Sequence, residues 1–361
     1  MALSGNRGEW SEIYAFLRLL AEGKLFAADE QLNRIDKKYF QIIKILREEV
    51  KDNKYEYCPN PDTSNVCIFL NGKEVFSLPA KKLKDEASRL FADIYGRSAG
   101  KSAFEISSTE IFIHSIFVNK LKAPSKDKSD INILIHDLNT GYENTVGFSI
   151  KSDLGSPPTL LNAGKTTNFV FEIKGLPKSE MSVINKIETD NKIIDRIKAI
   201  INKGGKFIFK EMVNKTFEQN LIMIDSQMPI IVAEMLKGYY CKNIKKCSLL
   251  AEEVININPL NHRREFYIHK IKELLCASAL GMKPATVWDG NDEANGGYII
   301  VKEDGDVVAY HIYNRNFFKD YLLRSTQLDR PSTKKDRCDY CSLYQENRKI
   351  FIKLNLQIRF I

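Results

Sequence analysis

An acid and a lysine stand at opposite ends of a short alternating stretch, KSDINILIHDLNTGYENTVGFSIKS, at residues 128–152. Asp130 comes directly before the first apolar alternation, and Lys151 closes the second. If the two segments pair as antiparallel strands, the start of one lies beside the end of the other. A carboxylate there can hold a hard divalent cation, and a lysine can position or deprotonate a water or offset charge on a phosphate. The pair suits a metal-dependent phosphodiesterase, although charged residues at strand ends are also common without any such role.

The element that must position this pair is a β-hairpin. Apolar residues recur at every second position from 131 to 135 and again from 146 to 150, which is the period of a strand with one buried face. Residues 139–141 (Asn-Thr-Gly) supply the turn between the two runs. The spacing therefore predicts two paired strands with Asp130 and Lys151 at one edge of the sheet.

This hairpin resembles the core of PD-(D/E)XK nucleases, in which an Asp that opens one strand precedes an acid-x-Lys on the next. Asp130 matches the first acid and Lys151 matches the lysine, whereas Ser149 stands where the family usually has its second carboxylate. Some restriction enzymes of this superfamily also have Ser-x-Lys and recruit an acid from a helix. The resemblance implies Mg²⁺ held by Asp130 and such an acid, and it leaves open a decayed, inactive site.

The N-terminal helix offers two glutamates for that role. At about 100° per residue, Glu9 lines up with the apolar stripe of Ile13 and Phe16, while Glu12 lies about a sixth of a turn further round. Glu9 is therefore our first choice for the helix acid, and Glu12 is the second. A glutamate in a first helical turn also stabilises the helix dipole without any catalytic role.

Longer segments extend the resemblance to the HpaII-type family of type II restriction endonucleases. The segments are GNRGEWSEIY, GFSIKSDLGSPPTLLNAGKTTNFVF, GDVVAYHIYNRNFFKDYLLRSTQLDRPST and IFIKLNLQIRF. The resemblance implies Mg²⁺-dependent cleavage of double-stranded DNA at CCGG, alongside a cognate cytosine methyltransferase, and it is compatible with a homodimer. The segment RCDYC at residues 337–341 departs from the expected pattern.

Two polar loops and one arginine pair are candidates for DNA contact. Hydroxyl, amide and cationic groups donate to phosphates, and an arginine fork matches the acceptors of guanine. Each segment is also an ordinary surface loop or helix start in composition. The candidate residues are Asn162, Lys165, Thr166, Thr167, Asn168, Arg263, Arg264, Arg324, Arg330, Ser332 and Thr333.

The composition limits the kind of partner, the cellular compartment and the state of the cysteines that can be expected. The chain has 361 residues, and 54 Lys and Arg against 46 Asp and Glu give a net charge of +8, which is compatible with a nucleic-acid partner. No apolar run reaches the roughly 20 residues that span a bilayer, and the first residues lack a signal-peptide pattern, so we expect a cytoplasmic protein. Seven cysteines favour reduced thiols. Cys338 and Cys341 have the spacing of metal ligands, but four ligands for zinc are not evident.

Taken together, the patterns predict an α/β fold. Residues 1–175 are expected to form a PD-(D/E)XK-like mixed sheet flanked by helices, and residues 176–361 a helical and β-hairpin portion, of α+β type, that recognises DNA. Residues 24–50 are predicted to be helical, residues 66–78 and 297–313 to be hairpins, and residues 350–360 to be one strand. Helices at 221–240 and 249–280 are expected to break near Pro229 and Pro259.

Two alternatives to a restriction endonuclease remain open at this point. A catalytically inactive, DNA-binding relative would explain the missing carboxylate at Ser149. A repair or junction-resolving nuclease would share the core chemistry and act on structured DNA.

Overall fold

The structure is a computed structural model, and the chain divides into two compact units. The structure describes residues 2–29, 31–50, 53–97, 102–122, 129–138, 140–155, 157–311, 315–331 and 338–361. Unit 1 comprises residues 1–158 and 292–318, and unit 2 comprises residues 159–291 and 319–361. This division differs from the predicted single boundary at residue 175, because a late hairpin belongs to the sheet of unit 1 and the strands after residue 158 pair with the C-terminal strands.

The strands and helices are numbered in chain order. The strands are β1 (Ser4–Gly5), β2 (Lys24–Ala28), β3 (Arg34–Val50), β4 (Asn53–Asn60), β5 (Asn65–Leu70), β6 (Lys73–Pro79), β7 (Phe104–Glu105), β8 (Ile131–His136), β9 (Glu143–Ser152), β10 (Thr159–Leu161), β11 (Asn168–Lys174), β12 (Lys206–Met212), β13 (Gly297–Val301), β14 (Val307–His311), β15 (Thr326–Leu328), β16 (Leu343–Glu346), β17 (Lys349–Asn355) and β18 (Ile358–Phe360). The helices are α1 (Arg7–Glu22), α2 (Ala80–Tyr95), α3 (Ser107–Ser115), α4 (Lys178–Asn185), α5 (Lys192–Asn202), α6 (Lys215–Ile224), α7 (Met228–Lys242), α8 (Cys247–Ile257), α9 (Arg264–Leu280) and α10 (Arg315–Ser325).

The large sheet of unit 1 runs in the order β2-β14-β13-β9-β8-β3-β4-β5-β6. Because β2 also pairs with β3, the six strands from β2 to β3 close into a ring of hydrogen-bonded neighbours. The pairs β9–β13 and β2–β14 are parallel, and the other pairs are antiparallel. The prediction of a mixed α/β architecture is therefore confirmed.

The prediction that residues 24–50 are helical is wrong, because they form β2 and the long strand β3. Tyr39, Ile42 and Leu46 happen to fall at helical spacing, but they are accompanied by β-branched and aromatic residues that suit a strand. Phe40 and Ile42, which are two positions apart, are both buried, as expected for residues on one face of a strand. Pairing with β2, β4 and β8 overrides the helical spacing.

Helix α1 builds the core of unit 1 and carries the N-terminal part of the site. It starts with a capping box, in which the Asn6 side chain accepts from the Glu9 backbone and the Glu9 carboxylate accepts from the Asn6 N–H. It ends at Gly23, whose φ of 62° is left-handed. Trp10 and Ile13 on its apolar face are fully buried in the core that also contains Phe148 of β9. This packing fixes α1 beside the hairpin.

In unit 2, the predicted helix breaks are confirmed. Pro229 lies in the first turn of α7, and Pro259 lies between α8 and α9. Residues 350–360 do not form one strand, because β17 joins the sheet β12-β11-β17-β16 and β18 lies between β10 and β15.

In unit 1, the hairpins β5–β6 and β13–β14 form as predicted. Within the described residues, no helix is both long and apolar enough to cross a membrane.

Candidate active site

The pairing of β8, β9 and β13 determines which residues lie side by side at the site. Ile131 of β8 and Phe148 of β9 form the last pair of this ladder, and the Asp130 N–H donates to the Phe148 carbonyl at 2.8 Å, out of step with the register. Asp130 lies just before β8, and its side chain reaches Ser149. On the other side of β9, Tyr298 of the parallel strand β13 pairs with Ser149. Residues paired in this way share one face of the sheet, and Lys151 joins them from two positions along β9.

A chain of hydrogen bonds connects the predicted lysine to the predicted acid. Lys151 Nζ donates to Ser149 Oγ at 2.8 Å, and Ser149 Oγ donates to Asp130 Oδ2 at 3.0 Å. The Ile150 N–H donates to the same Asp130 oxygen at 2.7 Å. The serine that stands in place of the expected second carboxylate thus bridges the two groups.

Burial and neighbouring charges affect the protonation of the Lys151 amine in opposite directions. Removal from water lowers the pKa of the ammonium, and the negative charges of Asp130 and Glu12 oppose that shift. The ammonium lies over the Tyr298 ring, 5.3 Å from its centroid. Lys151 is therefore a desolvated amine held by one hydroxyl, one aromatic face and nearby carboxylates.

Glu12 of α1 lines a small cleft together with Asp130, Ile131 and Ile150. The cleft leaves about 10 Å³ free, close to the space that a single water needs. Burial, together with the Asp130 charge, raises the pKa of Glu12 to about 8, while the charges of Lys122 and Lys151 oppose the shift. The structure therefore brings together Asp130, Lys151 and Glu12, the second choice from the sequence.

Glu9 occupies a different position. Its carboxylate accepts from the Asn6 N–H at 2.8 Å in the capping box, and its other oxygen lies 3.4 Å from Lys122 Nζ. It is not among the described residues that line the cleft. The Asn6-x-x-Glu9 spacing is the sequence signal of a capping box, and it would have favoured Glu12 over Glu9 for the site.

Further residues of the site were not evident in the sequence. Ser152 Oγ and Ser11 Oγ are 2.8 Å apart, and the Arg7 guanidinium donates to the Leu154 carbonyl at 2.6 Å. These contacts tie α1 to the end of β9. The local sequence pattern predicts neither these contacts nor the position of Tyr298, because they depend on contacts between distant parts of the chain.

The donor set fits a hard cation with few protein ligands. Among the described residues, no group of three or more His, Cys, Asp and Glu side chains is arranged to hold a metal. Mg²⁺, however, is commonly held by one or two carboxylates, with waters and substrate phosphates completing its shell. Asp130 and Glu12 supply two carboxylates at one cleft, and the hydrogen bonds to Asp130 within the described residues end on Oδ2.

Comparison with known proteins places the chain in a family. The profile of the HpaII restriction endonuclease family matches residues 6–360. The chain belongs to the HpaII restriction endonuclease family. It is 42% identical over 362 residues to the Type II restriction enzyme HpaII of Haemophilus parainfluenzae, covering 99% of each chain. No solved structure matches it significantly. The range matched to the HpaII family includes the departing segment at residues 337–341.

For an HpaII-family enzyme the DNA contacts matter as much as the catalytic centre. The candidate DNA-contacting residues in the loop before β11 differ in their exposure. Asn162 and Lys165 are exposed. Thr167 and Asn168 are buried; Thr167 Oγ donates to the Gly164 carbonyl, and the Asn168 side chain donates to the Cys338 carbonyl. These hydrogen bonds hold the loop together. Thr166 is half-buried.

The arginine candidates differ in their surroundings. Arg263 is exposed at the start of α9, and Arg264 forms a two-pronged ion pair with Glu252. Arg324 is exposed, whereas half-buried Arg330 hydrogen-bonds to Tyr239. Ser332 and Thr333 lie outside the described residues.

The predicted metal-like cysteine pair is buried in unit 2. Cys338 and Cys341 are both 2% exposed, and burial raises the pKa of the Cys341 thiol to about 12. The thiolate form that binds zinc is therefore disfavoured there.

Proposed function

We propose that this HpaII-family endonuclease cuts double-stranded DNA at CCGG by Mg²⁺-dependent hydrolysis. The centre would be PD-(D/E)XK-like and formed by Asp130, Glu12 and Lys151. The observation that carries the proposal is the hydrogen-bond chain from Lys151 through Ser149 to Asp130, beside the Glu12 cleft. The full-length similarity to a type II restriction enzyme supports site-specific DNA cleavage.

Asp130 and Glu12 would hold the metal. Bound Mg²⁺ would supply positive charge to the scissile phosphate and increase the acidity of a nearby water. Glu12 has a raised pKa because two carboxyls share a poorly hydrated cleft, which is the arrangement that a divalent cation would relieve. Glu9 would act through the capping box that starts α1.

Lys151 would act on the attacking water or on the charge that develops at the phosphate. Its Nζ is fixed by Ser149 Oγ, so the amine is oriented before DNA binds. Burial lowers the pKa of Lys151 and the charges of Asp130 and Glu12 oppose that shift, so its ammonium would orient the water or offset charge that develops at the phosphate. Ser149 would keep Lys151 and Asp130 at a fixed separation through its two hydrogen bonds.

This use of Ser149 favours an active enzyme over an inactive relative. A decayed site would have no reason to preserve a bridging hydroxyl between the two remaining catalytic groups. Here the hydroxyl bonds to both groups, and Glu12 supplies a carboxylate from the helix. Glu12 would serve in place of the missing strand carboxylate.

For DNA recognition we propose the exposed candidates Asn162, Lys165, Arg263 and Arg324, together with half-buried Thr166. Their amide, hydroxyl and cationic groups suit phosphates and groove edges. Arg264 and Arg330 would first have to exchange their present partners. We also propose a cytoplasmic homodimer that works beside a cytosine methyltransferase protecting the same site.

The test is cleavage of an unmethylated plasmid that contains many CCGG sites, in Mg²⁺ and in EDTA, with sequencing of the ends. Discrete Mg²⁺-dependent fragments that end at CCGG are expected. Asp130→Asn should abolish cleavage and retain specific binding, while Asp62→Asn, a surface control, should cleave normally. Fragments at another sequence would overturn the assigned site, and full cleavage by Asp130→Asn would overturn the centre.

A further inference from the structure

Tyr298 lies beneath Lys151, although about 150 residues separate the two in the chain. The Lys151 ammonium is 5.3 Å from the centroid of the Tyr298 ring. The register explains this contact, because Tyr298 pairs with Ser149 and Lys151 projects from the same face two residues later. The contact is therefore a consequence of the parallel β9–β13 pairing.

The surroundings of Tyr298 hold its ring in place. The side chain is 1% exposed, and its ring packs against Phe318 with centroids 5.0 Å apart. Phe318 also packs against Tyr310 of the adjacent strand β14, at 5.8 Å. A buried ring that packs against Phe318 presents a fixed face to the ammonium.

Such a face suits a buried cation. An aromatic ring attracts an ammonium through its quadrupole, and the attraction is strongest where water is excluded. Lys151 is half-buried, and its hydrogen bond to Ser149 directs one of the three N–H groups of its ammonium. The ring would restrain the remaining freedom of the amine.

We propose that Tyr298 is a positioning residue for Lys151 in DNA cleavage. The aromatic face holds the ammonium above the row formed by Asp130 and Ser149. This inference rests on the proposed function of Lys151. It adds a residue from the late hairpin β13–β14 to a centre whose other groups come from α1, β8 and β9.

The test varies the ring electronics at constant shape. Position 298 is changed to phenylalanine and then to mono-, di- and trifluorophenylalanine, each of which weakens cation binding with little change in size. Single-turnover cleavage is measured in Mg²⁺, DNA binding in Ca²⁺, and thermal unfolding in both. Relative to Tyr298→Phe, we expect the cleavage rate to fall stepwise to about one tenth, as for a desolvated cation–π contact. DNA affinity and unfolding temperature should stay constant.

A pH profile separates positioning from simple packing. The charged groups that face the Lys151 amine are Asp130 just before β8, Glu12 on α1 and Lys122 after α3. These remain unchanged in the series. Weakening the ring's attraction for the cation lowers the pKa of Lys151, so the pH limb that reports this amine should move to lower pH by roughly half a unit or more.

Tyr310 provides the matched control, since it is equally buried and contacts the same Phe318. The same fluorinated series at Tyr310 should leave the rate and the pH limb unchanged. A flat series at Tyr298, or equal losses at both positions, would overturn the inference. Lys151→Met separates the two proposals: if it cleaves normally, the proposed function fails, and if it is inactive while the Tyr298 series is flat, only the role of Tyr298 fails.

Discussion

Replacing Glu12 by glutamine should stabilise the metal-free protein at neutral and alkaline pH. Burial and the Asp130 charge raise the pKa of Glu12 from its usual 4.5 to about 8. Between these two values the folded protein binds more protons than the unfolded chain, so the free energy of unfolding falls as pH rises from about 4.5 to 8. Glutamine has the same shape and no charge, and it removes this loss.

The size of the effect follows from the same two values. At roughly 1.4 kcal/mol per pH unit, the cost of ionising Glu12 approaches about 4 kcal/mol at pH 8 and is absent below pH 4.5. Water entry and small rearrangements reduce such penalties, so we expect Glu12→Gln to be about 1–3 kcal/mol more stable at pH 8. At pH 4.5 the two proteins should be equally stable.

The assay is urea unfolding in EDTA, followed by the fluorescence of Trp10 in a Trp288→Phe background. Trp10 is fully buried in α1, so its emission reports on unit 1. Glu9→Gln is the matched control, because it also replaces a glutamate of α1 and glutamine can complete a capping box. It should keep the fall in stability with rising pH that Glu12→Gln removes. If Glu12→Gln were no more stable than the parent at pH 8, the electrostatic reasoning about the cleft would be wrong.

Three further outcomes are expected. Ser149→Ala should lower the single-turnover cleavage rate by about 10–100-fold and leave DNA binding in Ca²⁺ intact, as for other groups that orient a catalytic residue; an unchanged rate would remove Ser149 from the site. Glu49→Ala should cost about 3–5 kcal/mol in urea unfolding, because Arg47 is buried against Glu49 and would keep an uncompensated charge; a loss below 1 kcal/mol would contradict this. Burial lowers the pKa of His311 from 6.5 to about 4, so stability should fall by up to about 3 kcal/mol as pH drops across that range. His311→Gln should flatten this slope, and an unchanged slope would assign it to other groups.

Part of the site could be predicted because its signals are local. The period-two alternation on both sides of a turn predicted the β8–β9 hairpin, and antiparallel pairing then placed Asp130 near Lys151. The distinction between Glu9 and Glu12 was missed because the apolar stripe of a helix identifies the face toward the core. The cleft lies at the edge of that face, where Glu12 projects.

Other parts of the fold depend on contacts between distant segments. Residues 24–50 have an apolar spacing that fits either a helix or a strand, and only pairing with β4 and β8 decides between them. The alternation of β13–β14 predicted a hairpin, and nothing in it showed that β13 would pair with β9. Tyr298 was therefore assigned to the recognition portion in the sequence and lies beside Lys151 in the structure.

The late entry of β13 into the sheet also affects synthesis of the chain. When the ribosome has made residues 1–290, Asp130 and Lys151 are present, but β9 lacks its parallel neighbour and the ring of strands is open. An exposed strand of this kind is prone to aberrant pairing, and contacts between residues so far apart in sequence slow folding. Unit 1 is thus completed only after residue 311 has been made, so a chain that terminates earlier carries the proposed catalytic acid and lysine without the sheet that aligns them.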